Sequence, residues 1–245
     1  MLIKPAWWVT ASGCGVSWWI DWWDVFHRAD VYGIYGPPAS GKSNLAIALA
    51  LEDKKRGRNV IYIITEANLR PIVDKVPGAK LALSISDFEN AVRSVKSLGN
   101  TTLIIDSLGA VYRRILRQAW LERGEVTLYD VREAIMTVRD AVDMLVDIWA
   151  SSKEPSGKLV FILHEAPAIG ESFYGYPWPK PRSIANQILT LVHTGCSART
   201  RVVGGGGGVE YEYETVRECF GVVVMSRHRP LIQDAFFKIP TPRLL

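Results

Sequence analysis

Residues 36–44 read Gly36-Pro37-Pro38-Ala39-Ser40-Gly41-Lys42-Ser43-Asn44, and the first eight fit the spacing G-x-x-x-x-G-K-[ST]. Glycines at the two ends let successive backbone N–H groups curl round an anion at the positive end of a helix. A lysine in the seventh place neutralises phosphate oxygens, and the hydroxyl after it can ligate magnesium. The motif therefore predicts ATP bound together with Mg2+. A carboxylate is needed beside that cation, and Leu103-Ile104-Ile105-Asp106-Ser107 offers Asp106 at the end of an apolar run. Its alternative is the cap of a following helix, which also favours Asp. Glu66 ends a second apolar run, Ile61–Thr65, and can orient the attacking water and take its proton; the alternative is a solvated Glu at a helix start.

These residues must be carried by strands that all end on the same side. From residue 31 onward short apolar runs alternate with helical patterns, which predicts an α/β domain with a mostly parallel central sheet flanked by helices. The expected strands are Val31–Tyr35, Val60–Thr65, Leu81–Leu83, Thr102–Asp106 and Leu159–Leu163. The expected helices are Lys42–Lys55, Asp87–Leu98, Ala110–Glu122 and Tyr129–Ala150. After residue 190 alternating patterns such as Glu210–Glu214, Gly221–Met225 and Ala235–Ile239 predict antiparallel edge strands, with the five-glycine run 204–208 as a loop.

Composition bounds the rest. The chain has 245 residues, 48% hydrophobic and 22% charged, with a formal net charge of +4. That excludes a disordered chain and permits a polyanionic partner without requiring one. The length allows one core at 31–245, with a Trp-rich segment at 1–30 packed on it. Cys14, Cys196 and Cys219 form no CxxC pair and are odd in number, so neither a zinc site nor a disulfide is expected and a reducing cytoplasm fits. Asp21 and Asp24 interrupt the tryptophan clusters, and no run there approaches a membrane span.

Gly36–Ser43, Thr65-Glu66 and Leu103–Ser107, in this order and spacing, resemble the ATPase core of RecA-like recombinases, with the archaeal RadA and RadB paralogues nearest. Gly13-Cys14 and Ser226-Arg227-His228-Arg229-Pro230 followed by Phe236–Ile239 extend the resemblance over about residues 12–240. It implies a RecA-like P-loop fold, an ATPase that assists DNA recombination or repair, and other recombination proteins as partners. It also implies a homo-oligomer in which Arg227 and Arg229 of one copy complete the catalytic site of the next. Where the family carries Asn-Gln to sense the γ-phosphate, this chain has His164-Glu165. His164 is thus the sensor candidate, against a structural histidine. A separate N-terminal DNA-binding domain is not expected.

Two segments fall where such proteins carry DNA-binding loops. One holds Arg113, Arg114, Arg117 and Arg123; the other, around Tyr176, Trp178, Lys180 and Arg182, interleaves aromatics with cations as single-stranded DNA requires. The alternatives are a wet helix face for the arginines and packing under a loop for the aromatics. A KaiC-like regulatory ATPase that acts through protein assembly, without DNA, is the competing functional expectation.

Overall fold

The computed structural model describes residues 19–151, 157–166, 176–178, 187–204 and 212–241. A short helix α1 (Trp22–Phe26) precedes β1 (Val31–Tyr35), whose five residues are all buried, and then α2 (Lys42–Lys55). There follow β2 (Asn59–Ile64), a 3-10 segment (Ala67–Lys75), β3 (Ala79–Leu81), α3 (Ile85–Arg93), β4 (Thr101–Asp106), α4 (Leu108–Arg123) and α5 (Leu128–Ala150). The chain returns through β5 (Lys158–Ile162), two short strands β6 (His164–Ala166) and β7 (Tyr176–Trp178), the long β8 (Thr190–Gly204) and β9 (Glu212–Ser226), and β10 (Phe236–Lys238).

The main sheet has the order β10-β9-β8-β1-β5-β4-β2-β3. Strands β8, β1, β5, β4, β2 and β3 run parallel, and β9 and β10 run antiparallel. The period of two in each central strand divides the core cleanly. Val31, Leu103, Ile105, Leu159 and Phe161 pack with α3, α4 and α5 on one face. Tyr32, Ile34, Ile104, Val160 and Ile162 pack with α1 and α2 on the other. At the strand starts, Lys158 donates to both oxygens of Asp53 at 2.7 and 2.9 Å, and Thr102 donates to the same carboxylate. Burial holds that ammonium down at about 8, and Asp53 opposes the shift.

The α/β fold expected from the pattern, a mostly parallel sheet flanked by helices with antiparallel C-terminal strands, is the fold found, with four differences of detail. First, β8 was not among the expected strands: it lies parallel beside β1, so the hairpin β8–β9 flanks the Gly36–Ser43 loop (the P-loop) directly. Second, Cys196 and Cys219 face each other across that hairpin and are joined in a disulfide, against the expectation of none. Their separation of 23 residues hid a pairing that only the strand register creates. Third, α3 begins and ends early. Ser84 and Asp87 form a reciprocal cap at its start, and the Ser94 hydroxyl takes the Ala91 carbonyl at its end. Fourth, β3 lies two residues before its expected place.

Of the expected N-terminal segment, residues 19–30 are described, and they pack on the core. Trp19 meets Phe220 and Phe236, while Trp23 lies under Arg56 and Lys158 at 4.3 and 4.4 Å. Gly13-Cys14 lies outside the described residues, as do glycines 205–208. No helix among the described residues is long and apolar enough to cross a membrane.

Candidate functional site

The P-loop leaves the carboxyl end of β1 and enters α2 through Gly41, whose φ of 89° is open to glycine at little cost. Gly36 is forced by contact, since a Cβ there would lie 2.3 Å from the Thr194 carbonyl oxygen on β8. Lys42 is buried, and its ammonium donates to the loop's own carbonyls, Gly36 O at 2.9 Å and Pro37 O at 2.7 Å. The loop is the floor of a cleft of about 540 Å³, a size typical of small-molecule sites. Pro38 to Asn44, Glu66, Asn68, Asp106, Arg113, His164, Arg217 and Cys219 line it.

Asp106 is buried behind the loop and hydrogen-bonded to Ser43, while the Tyr62 hydroxyl donates to its Oδ2 at 2.8 Å. Burial raises its carboxyl to about 6 against the lowering effect of those two hydrogen bonds. Beside a phosphate, a hydroxyl and a carboxylate form the oxygen set that magnesium takes, the remaining positions falling to water and phosphate. Among the described residues no group of three His, Cys, Asp or Glu could hold a metal without such help.

On the far side of Asp106 lies a compact relay. The Ser107 hydroxyl, which also caps α4, donates to Glu66 Oε1 at 2.7 Å. His164 Nε2 lies 3.2 Å from the same oxygen, 3.0 Å from Ser107 Oγ and 3.0 Å from an Arg113 Nη2. Glu66 and Arg113 make opposite demands on that nitrogen: it donates to the carboxylate or accepts from the guanidinium. His164 holds the Glu66 carboxyl down at about 2, burial opposes this, and Ser107 and Arg113 assist. Thr65 fixes the strand end behind it, its hydroxyl donating to Ser107 O and accepting from Ser107 N.

The P-loop, Glu66, Asp106 and His164 are thus brought together. Other sequence candidates have different employment. Arg113 is exposed and bridges the cleft to a recess of about 320 Å³ that Arg117 also lines. Arg114 donates to Thr65 O and Ala82 O, and Arg123 pairs with Asp130, which closes the capping box of α5 with the N-cap Thr127. Tyr176 and Trp178 lie on β7, whose partner is β6, with Trp178 opposite His164. Lys180 and Arg182 lie outside the described residues. Arg229 donates to Asp24 O and Val25 O within its own chain, joining the Tyr32 hydroxyl at Val25 O and the His27 ring at Asp24 O. Neither Arg229 nor the exposed Arg227 lines the cleft.

Four residues went unassigned in the sequence. Ser107 stood next to Asp106, and a hydroxyl adjoining a strand-end carboxylate was the available signal. Gly109 stands in the first turn of a helix, where alanine serves better, and such a glycine signals a close approach. A Cβ on it would lie 2.0 Å from His164 Cδ2. Arg217 and Cys219 reach the cleft only through the β8–β9 register, and no local spacing announces them.

No family model matches this chain. Its curated relatives carry the name DNA repair and recombination protein RadB. That of Methanothermobacter thermautotrophicus is 32% identical over 104 aligned residues, covering 35% of this chain and 44% of that protein. That of Methanosphaera stadtmanae is 32% identical over 98 residues, covering 32% and 41%. The chain matches less than half the length of either relative. Among solved structures, a KaiC-like protein from Pyrococcus horikoshii OT3 is similar over 82% of this chain and 81% of that one, at 11% identity and a TM-score of 0.46.

Proposed function

We propose that this protein is a magnesium-dependent ATPase of the RecA-like recombinase kind that assists DNA recombination or repair. The observation that carries the reading is convergence: Lys42 and Ser43, Asp106, and the pair Glu66 and His164 line one cleft although three different strands deliver the carboxylates and the imidazole. The names of the RadB relatives support the assignment to recombination. DNA is the proposed macromolecular partner. The exposed Arg113 links the nucleotide cleft to the recess at Arg117, so a polyanion seated there would be felt at His164 and Glu66.

Each residue has a definable task. The P-loop amides and Lys42 bind the phosphates, Lys42 exchanging the carbonyls of its own loop for phosphate oxygens. Ser43 and Asp106 would hold magnesium, which when bound neutralises charge on the phosphates. Glu66 is ionised throughout the neutral range, and a carboxyl held near 2 is a weak proton acceptor, so its larger contribution is to orient water. His164 sits where it can donate toward the same region or pass its hydrogen bond to Glu66.

The test is phosphate release from ATP with and without magnesium, followed by titration of fluorescent single-stranded DNA at fixed salt. We expect metal-dependent turnover that falls at least about 10²-fold in Lys42→Ala and Asp106→Ala, and DNA binding that weakens as salt rises. Magnesium-independent turnover, or mutants as active as wild type, would defeat the ATPase reading. ATPase activity with no DNA binding would favour a protein-assembly role instead.

A further inference from the structure

The β8–β9 hairpin touches four residues of the P-loop, Gly36, Ala39, Ser40 and Gly41, through contacts that the nucleotide reading leaves unused. Thr194 meets Gly36 and hydrogen-bonds the Ser40 hydroxyl at 2.7 Å. Cys219 packs against Gly41. Arg217 Nη2 donates to Ala39 O at 2.7 Å, and Cys196 Sγ touches the same oxygen at 3.4 Å. In the disulfide that sulfur carries no proton, so the second contact is packing and the guanidinium is the donor.

Ala39 is the position that needs such help. Ser40 N donates to Pro37 O at 3.2 Å, which closes a turn with Pro38 second and Ala39 third. Proline fixes a negative φ at the second place, and Ala39 has φ 58°, so this is the turn type that asks for glycine in third position. An alanine there has its Cβ crowded against the following carbonyl, and the surroundings must hold it.

We propose that Arg217 is a positioning residue of the nucleotide site: by holding the Ala39 carbonyl it keeps an alanine in a left-handed turn and so preserves the anion cradle. The proposal rests on the nucleotide-binding reading above, and its tests are separable from that reading. In the nucleotide-free protein, Arg217→Ala should speed hydrogen–deuterium exchange of the Ser40 amide about tenfold, the factor that releasing one left-handed alanine implies. Unchanged exchange would overturn the brace whatever the protein binds. The fold itself should survive, because Arg217 is exposed, and circular dichroism checks this.

In titrations with a fluorescent ATP analogue and magnesium, Arg217→Ala should weaken binding about tenfold. Adding Ala39→Gly should restore affinity to within about twofold of wild type, because glycine takes the turn unaided. A double variant as weak as Arg217→Ala, with Ala39→Gly alone binding normally, would overturn the brace and make Arg217 a direct ligand. Wild type that binds no nucleotide but shows the exchange effect would retain the brace and remove the ATP reading.

Discussion

On the β2, β4 and β6 side of the P-loop the residues are ionisable and gather round Ser107, and His164, Ser107 and Arg113 all hold the Glu66 carboxyl down. On the β8–β9 side the residues that touch the loop are a threonine, a disulfide and an arginine bound to a main-chain carbonyl. The first flank is arranged to move charge, and the second to hold backbone. A P-loop by itself supplies amides and one ammonium; on the proposed reading, turnover needs the first flank and the shape of the loop needs the second. Mutations on the two sides should therefore fail differently, one in turnover and the other in affinity.

The largest effect that would separate the flanks is expected from Glu66→Gln. The amide keeps the shape and can still accept from Ser107, so nucleotide affinity should stay within a few-fold of wild type. Loss of the charge that orients water should lower turnover about 10²–10³-fold. Rapid-quench turnover beside equilibrium binding measures both. A matched loss of affinity would mean that Glu66 shapes the loop, and the contrast between the flanks would disappear.

A smaller effect is expected from Gly109→Ala, which displaces the His164 ring without touching the nucleotide. Turnover should fall about tenfold at unchanged affinity, the low end for a lost acid–base or orienting group. If displacement of His164 is the whole cause, Gly109→Ala should do little more in a His164→Ala background, because effects on one unit do not add. Full additivity would show that α4, and not the histidine, carries the effect.

How far the sequence disclosed this division follows from where each contact lies along the chain. The first flank was largely legible: Asp106 and Glu66 end apolar runs, and a parallel sheet places such ends together. His164 could be placed at the same level from the run before it, though its partners could not. The second flank was illegible, because Ala39 meets Cys196 and Arg217 across more than 150 residues and only the register of two long strands makes them neighbours. Arg229 shows a different limit: its motif suggested a partner subunit, whereas the hydrogen bonds it makes to Asp24 O and Val25 O within its own chain join residues more than 200 positions apart and no local spacing announces them.

The last and smallest effect lies in acid stability. Glu66 has a folded pKa of about 2 against an ordinary 4.5, held down first by His164 and then by Ser107 and Arg113, with burial opposing. A depressed carboxyl stabilises the folded state fully above its unfolded pKa and loses that contribution as pH falls toward the folded value. The advantage of wild type over Glu66→Gln in urea unfolding should thus shrink by about 2–3 kcal/mol as pH falls from 4.5 to 2. Glu66 is about one-fifth exposed, so solvent screening takes the lower part of that range. The bracing side chains Thr194, Cys196, Arg217 and Cys219 include no carboxylate, so the difference between wild type and Arg217→Ala should stay flat across the same interval. A flat difference for Glu66→Gln as well would mean that its carboxylate is not paired with His164 in solution, and the relay would reduce to the P-loop and Asp106 alone.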